Sequence, residues 1–183
     1  MRLVPSKLLA FAIIGMLTDA CRGPAIPNQI SEREYALYAD WTNNALKTAP
    51  KALFFYSRTM PFNPFEPYDQ CVNQVGEKEG VFRPMIRQLR ALGSAQYPLD
   101  LFSSRTFHVA WKYRKIESPP TDPEFGYRAL TFSRVAFNRA GDLAIFSVSN
   151  SCAGGQCGGG GVIIAHKTQG TWEFQRTDCN WVF

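Results

Sequence analysis

The sequence predicts an α+β fold in which N-terminal helices pack on a C-terminal antiparallel β-meander of four to six strands. Helical spacing of apolar residues dominates residues 30–48 and 84–92, whereas the last third alternates short apolar runs with turn residues. Helices that mostly precede the strands are typical of the α+β class. Because the whole pattern fits one core, we expect a single domain over residues 30–183.

The chain begins with the three-part pattern of a secretory signal. Arg2 and Lys7 are basic, residues 8–17 are an apolar run of ten, and Ala20 is a small residue at a plausible cleavage point. The apolar run is shorter than the roughly 20 residues that span a bilayer. We predict a signal peptide at residues 1–20, with a buried N-terminal helix as the alternative. The predicted location is therefore the cell envelope or the exterior.

Cys21 follows a segment that resembles the lipid-attachment box of bacterial lipoproteins. Ala20 fits the box, whereas Leu17 stands one place too early and Asp19 fits poorly. Lipidation of Cys21 would leave four of the five cysteines, an even number that can pair completely. Residues 21–29 would form a tether. With Arg22 next to the lipidated cysteine, the anchor favours the outer membrane, with the domain facing the periplasm.

The charge of the exported chain is mild. Removing residues 1–20 leaves 18 basic and 14 acidic residues, a net charge of +4. Such a balance permits loose attraction to anionic envelope polymers or lipid headgroups. Because no dense run of lysine and arginine is present, we expect no nucleic-acid partner.

Two helices and one strand are predicted in the first half. The first helix covers residues 30–48, with Ser31 and Glu34 in the spacing of a capping box. Residues 52–56 form a short apolar strand. A second helix covers residues 84–92, since Pro84 suits the first helical turn and Gly93 suits the end.

Three arginines share one face of the second helix. Arg83, Arg87 and Arg90 recur at i, i+4 and i+7 and form a candidate surface for an anionic protein or cell-wall partner. A solvated basic face without a partner is the alternative.

The second half predicts strands. Residues 105–114 alternate apolar and polar side chains, which predicts a half-exposed strand with His108 on its polar face. Further strands are predicted at residues 130–137, 143–149, 162–167 and 171–176. The cluster SCAGGQCGGGG, residues 151–161, stands between two of these strands and is predicted to form a hairpin tip.

Residues 132–181 resemble uncharacterised bacterial envelope and lipoprotein-type domains. Their pattern is roughly F-S-x-V-x-F-N, an apolar strand, a cysteine- and glycine-rich turn, a second apolar strand and a G-x-W hairpin. The matching residues are Phe132, Ser133, Val135, Phe137, Asn138, Cys152, Cys157, Gly158, Gly170 and Trp172. The resemblance implies a small extracytoplasmic domain and brings no catalytic residues.

The glycine cluster lacks the context of a chemical site. A phosphate loop needs a lysine and a helix after the glycines, and β-branched residues follow Gly161 instead. A zinc site of Cys152, Cys157, Cys179 and His166 has irregular spacing, and export favours oxidised cysteines. A cysteine nucleophile paired with His166 would need a free thiolate. We predict no metal and no cofactor.

Disulfide bonds are the predicted use of the cysteines. We favour Cys152 with Cys157 across the hairpin tip, and Cys71 with Cys179 between an early loop and the C-terminus. Four cysteines allow three pairings, so the other two pairings stay open.

Two functions from different classes follow. The first is a non-enzymatic envelope protein that binds a protein or cell-wall partner, with an immunity or inhibitor role among the options. The alternative is a small secreted hydrolase that uses His108 or His166, although no motif places a nucleophile or an orienting acid beside either.

Overall fold

Seven strands and two helices make up the part of the chain that our computed structural model describes, which is residues 29–48, 50, 52–61, 73, 80–118, 127–151 and 158–182. The helices are α1 (Glu32–Ala45) and α2 (Arg83–Leu92), and a single 3-10 turn, Gly80–Phe82, leads into α2. The strands are β1 (Ala52–Tyr56), β2 (Tyr113–Ile116), β3 (Tyr127–Phe132), β4 (Ala136–Phe137), β5 (Leu143–Ser151), β6 (Gly159–Thr168) and β7 (Thr171–Val182).

All seven strands join one mixed sheet. Its order is β2-β1-β3-β5-β6-β7, with the short β4 paired to β5. The pairs β1–β2 and β1–β3 are parallel, and the other pairs are antiparallel. The predicted combination of helices with a mostly antiparallel sheet is confirmed. Strands β3, β5, β6 and β7 form an antiparallel run in the C-terminal part of the chain. The sheet is larger than the predicted four to six strands because β1 and β2 add parallel strands, since the long connection that contains α2 returns the chain in the direction of β1.

The two helices pack on opposite faces of the sheet. Side chains of α1 share a core with Ala144 and Phe146, whereas side chains of α2 share a second core with Leu143 and Ile145. Successive residues of a strand point to opposite faces, so β5 is buried on both sides. The helices therefore sandwich the sheet instead of lying together on one side.

Helix α1 begins at the predicted cap. Ser31 Oγ accepts a hydrogen bond from the Glu34 backbone N–H, and the Glu34 carboxylate accepts from the Ser31 backbone N–H at 2.9 Å. This reciprocal pair satisfies two backbone donors that the first helical turn leaves open. The predicted β1, the Gly93 end of α2 and the turn after β6 are also observed. In that turn Gln169 and Gly170 both have positive φ, as a two-residue hairpin requires.

An aromatic stack joins α1 to the sheet. The ring of Tyr38 lies 4.4 Å from that of Phe132, centroid to centroid and nearly parallel, and its hydroxyl donates to the Ser133 carbonyl at 2.7 Å. Both rings are fully buried, so these two aromatic side chains belong to the core.

Residues 105–112 do not form the predicted strand. The side chains do alternate, with Phe107 buried and His108 exposed. However, the side-chain amide of Asn43 on α1 donates to the His108 carbonyl at 2.9 Å and accepts from the Ala110 N–H at 2.8 Å. These contacts occupy backbone groups that a neighbouring strand would need. Only Tyr113–Ile116 pair, as β2.

Part of the predicted glycine turn is strand. Gly159, Gly160 and Gly161 pair with β5 on one side and with β7 on the other. A register shift between Gly161 and Ile163 marks a β-bulge, a place where glycine is common in strands. Residues 152–157, which hold the rest of the cluster, lie outside the described residues.

The strand predicted over residues 130–137 is interrupted. Residues 133–135 separate β3 from β4, and the Val135 N–H donates to the Glu34 carboxylate at 3.1 Å. A side chain of α1 thus replaces the neighbouring strand at this point.

Candidate functional site

A polar cleft opens at the carboxyl ends of the three parallel strands. Tyr56 is the last residue of β1, Thr131 is the last but one of β3, and Glu117 directly follows β2. The cleft has a volume of about 330 Å³. It is lined by Tyr56, Ser57, Arg58, Thr59, Met60, Gln96, Glu117 and Thr131. In open sheets with parallel strands, ligands bind outside the carboxyl ends of the strands.

Backbone hydrogen bonds fix the wall of the cleft that continues from β1. Ser57 donates its N–H to the Ile116 carbonyl at 2.7 Å, and Met60 donates to the Phe132 carbonyl at 2.9 Å. Between them, Thr59 donates to the Tyr97 carbonyl at 2.8 Å. Each bond ties the wall to a different segment of the chain. The cleft is therefore preformed, and a ligand would not have to order this segment.

A buried ion pair contacts Tyr97, which is hydrogen-bonded to the same wall of the cleft. Arg134 Nε lies 2.8 Å from Glu34 Oε1, with both side chains almost fully buried. The Arg134 guanidinium also lies over the Tyr97 ring, 4.5 Å from its centroid. Tyr97 in turn donates its backbone N–H to Thr59 Oγ1 at 2.9 Å. A chain of contacts thus connects α1 to the cleft.

Some polar side chains of the cleft form hydrogen bonds within the protein, and others do not. Thr131 Oγ1 donates to the Arg58 carbonyl at 3.3 Å, and Tyr56 Oη lies 3.3 Å from Ser151 Oγ. In contrast, the side chains of Arg58, Gln96 and Glu117 are exposed and make no hydrogen bond or ion pair with any described residue. These three side chains are available to a ligand.

The arginines proposed for partner binding do lie on one helix but are not equivalent. Arg83 and Arg87 are exposed on α2, whereas Arg90 is half-buried and donates to Asn73 Oδ1 at 2.6 Å. The opposite face of α2 packs in the core. None of the three arginines lines the cleft.

The two histidines lie apart from the cleft. His108 is exposed in the irregular segment beneath α1, and His166 is exposed on β6 opposite Glu173 of β7. Neither lines the cleft. The structure brings no serine or cysteine nucleophile into hydrogen-bond contact with either side chain among the described residues.

Of the five cysteines, only Cys179 falls within the described residues. It is buried against α2 and takes part in a disulfide bond. Its partner is one of Cys21, Cys71, Cys152 and Cys157, all of which lie outside the described residues, so the pairing stays a prediction. A disulfide sulfur has no thiolate to offer a zinc ion, which counts against the zinc alternative.

The described residues offer neither a metal-binding cluster nor a membrane-spanning helix. They contain no group of three or more His, Cys, Asp or Glu side chains able to hold a metal ion. None of their helices has both the length and the apolarity that crossing a membrane requires. The predicted signal peptide, residues 1–20, and the predicted lipidation site Cys21 lie outside this part of the chain.

No family model, curated protein or solved structure matches the chain. The resemblance of residues 132–181 to envelope domains therefore stays a prediction.

The sequence did not predict the cleft, because the residues that line it come from four separate segments, around residues 56–60, 96, 117 and 131. No motif connects these segments. The one usable signal was the change from the apolar β1 to the polar residues Ser57, Arg58 and Thr59.

Proposed function

We propose that the chain is an exported, non-enzymatic envelope domain that binds a protein or cell-wall partner through the polar cleft. The leader pattern at residues 1–20 supports export. The disulfide at Cys179 supports it independently, since structural disulfides belong to oxidising compartments. We further propose that Cys21 carries a lipid anchor.

The preformed cleft is the observation that carries this proposal. Its hydroxyl, amide and charged groups converge from four chain segments, and the backbone behind them is already hydrogen-bonded. Convergent polar groups in a cleft are the usual mark of a binding site. Because neither histidine lines the cleft, binding is favoured over hydrolysis as its use.

The outer face of α2 is a second candidate contact. Arg83 and Arg87 are exposed there and add positive charge to a domain that is already basic. Anionic polymers of the envelope have the complementary charge.

In vivo photo-crosslinking tests the cleft. A photoreactive phenylalanine analogue replaces Gln96 in the cleft, Arg87 on α2 or, as a control, the exposed Thr171 at the start of β7. We expect a discrete adduct with an envelope protein or with peptidoglycan from position 96 and none from position 171. An adduct pattern that is the same at all three positions would contradict a specific cleft.

Co-sedimentation with purified peptidoglycan sacculi tests the cell-wall partner directly. A tryptophan at position 96 adds bulk to the lining of the cleft, so we expect Gln96→Trp to reduce the bound fraction about fivefold, or about 1 kcal/mol, while Thr171→Trp leaves it unchanged. Equal sedimentation of both variants would exclude the cleft as the binding surface.

Mass spectrometry of the mature N-terminus tests the location. We expect a chain that begins at Cys21 and carries a lipid mass. An N-terminus that retains residues 1–20 would refute export by this signal.

A further inference from the structure

Two residues of opposite charge line the cleft and form no ion pair with each other. Arg58 follows β1 and Glu117 follows the neighbouring β2, and the bond from Ser57 N–H to the Ile116 carbonyl holds the two segments together. Even so, Arg58 and Glu117 form no ion pair with each other or with any described residue. Each therefore offers an unmatched charge to the same small volume.

Neutral polar groups complete the lining between the charges. The Ser57 hydroxyl and the Gln96 amide can donate and accept hydrogen bonds. The Thr131 hydroxyl already donates to the Arg58 carbonyl and the Thr59 hydroxyl already accepts from the Tyr97 N–H, so these two contribute only their remaining capacity. A ligand in the cleft would thus meet one cation, one anion and groups suited to peptide N–H and C=O.

We propose that the cleft binds a small zwitterion of dipeptide size, with its carboxylate at Arg58 and its ammonium at Glu117. Arg58 and Glu117 form no ion pair, and two extended residues span about 7 Å, so a dipeptide can present one terminal charge to each side chain. The volume of about 330 Å³ is at the small end of the range for ligand clefts. This inference deepens the proposed function and depends on it.

Ligands of a single charge fit the cleft less well. A phosphate or a dicarboxylate would be repelled by Glu117, and a polyamine would be repelled by Arg58. A neutral sugar would satisfy the hydroxyls and the amide but would leave both charges unmatched. A ligand with both signs matches Arg58 and Glu117 at the same time, which none of these other ligands does.

Calorimetric titration of the purified protein at pH 7 tests the proposal with four probes. They are alanylalanine, its N-acetyl form, its C-terminal amide and the neutral disaccharide diacetylchitobiose. We expect alanylalanine to bind best and each blocked dipeptide to bind about fivefold more weakly, the size of one partly exposed charge pair.

Variants of Glu117 and Arg58 test which residue binds the ammonium and which binds the carboxylate of the dipeptide. Glu117→Gln should bind alanylalanine about as weakly as the N-acetyl form and no longer distinguish the two. Arg58→Gln should lose the distinction between alanylalanine and its amide, and Arg58→Lys should keep it. The matched controls Glu173→Gln and Arg139→Gln change exposed residues outside the cleft and should behave as the parent protein.

The outcomes separate this inference from the proposed function. Equal binding of blocked and free dipeptides, or binding of diacetylchitobiose alone, would overturn the zwitterion and leave a polar binding cleft. Failure of all four probes, together with the loss of any adduct or sedimentation that depends on position 96, would overturn both.

Discussion

Glu34 links three parts of the molecule through one carboxylate. It accepts from the Ser31 N–H at the start of α1, from the Val135 N–H between β3 and β4, and from the Arg134 guanidinium. The sequence identified the first of these contacts, because a capping box repeats at fixed spacing. The other two join residues about 100 positions apart and had no local signal.

Neutralising Glu34 should be strongly destabilising. Glu34→Gln removes the negative charge from the buried Arg134–Glu34 ion pair, and we expect the free energy of unfolding in urea to fall by about 3–5 kcal/mol. The exposed control Glu173→Gln should change it by no more than about 0.5 kcal/mol. A loss below about 1 kcal/mol for Glu34→Gln would mean that hydrogen bonding, and not charge, holds the pair.

At the scale of elements, the first turn of α1 is tied to the irregular segment that follows α2. The Glu32 carboxylate accepts hydrogen bonds from the Ser104 and Thr106 hydroxyls at 2.9 Å each and from the Arg105 N–H at 3.0 Å. Together with Asn43 at the other end of α1, these contacts explain why residues 105–112 follow the helix and do not extend β2. Side-chain alternation indicates which residues face the core, but it does not decide which backbone groups are free to pair.

This attachment should depend on pH. The hydrogen bonds from Thr106 and then Ser104 lower the pKa of Glu32 below its ordinary value of 4.5. A lowered folded-state pKa means that the contact stabilises the protein fully above pH 4.5 and is lost as the pH falls through the folded value. Thr106→Val removes the main donor, so the carboxyl titration of Glu32, followed by NMR, should shift upward.

The stability difference between Thr106→Val and the parent protein should then shrink as the pH is lowered, because the protonated carboxyl gains less from the hydroxyl. Thr168→Val, at the exposed end of β6, is the control and should leave the Glu32 titration unchanged. Identical Glu32 titrations in the parent and Thr106→Val would contradict the assigned cause.

At the scale of the whole molecule, the last strand of the sheet and the segment that precedes α2 both contact α2. Cys179 of β7 packs against α2. Asn73, two residues after Cys71 in the sequence, accepts a hydrogen bond at its Oδ1 from Arg90 Nη2 of the same helix, at 2.6 Å. Strand β6 begins opposite Val182, roughly 10 Å along β7 from Cys179 at about 3.3 Å per residue. The pairing of Cys179 with Cys71 stays a prediction.

Non-reducing peptide mapping should recover a linked peptide that contains Cys71 and Cys179. Closing a loop of over 100 residues stabilises by up to about 4–5 kcal/mol, so Cys71→Ser and Cys179→Ser should each lose a similar amount and the double variant no more. A Cys152→Ser control should lose much less, since its predicted loop is short. A peptide that joins Cys179 to Cys152 or Cys157 would refute the pairing.

The amino-acid sequence by itself determined the local structure of this protein. The capped start of α1, the limits of β1, the end of α2 and the Gln169–Gly170 turn all depend on hydrogen bonds and dihedral angles within a few residues. The tertiary structure decided the parallel pairing of β1, the inclusion of Gly159–Gly161 in a strand and the cleft. These features depend on which separate segments meet, and such contacts, which for β1 join residues 60–75 positions apart, leave no periodic trace in the chain.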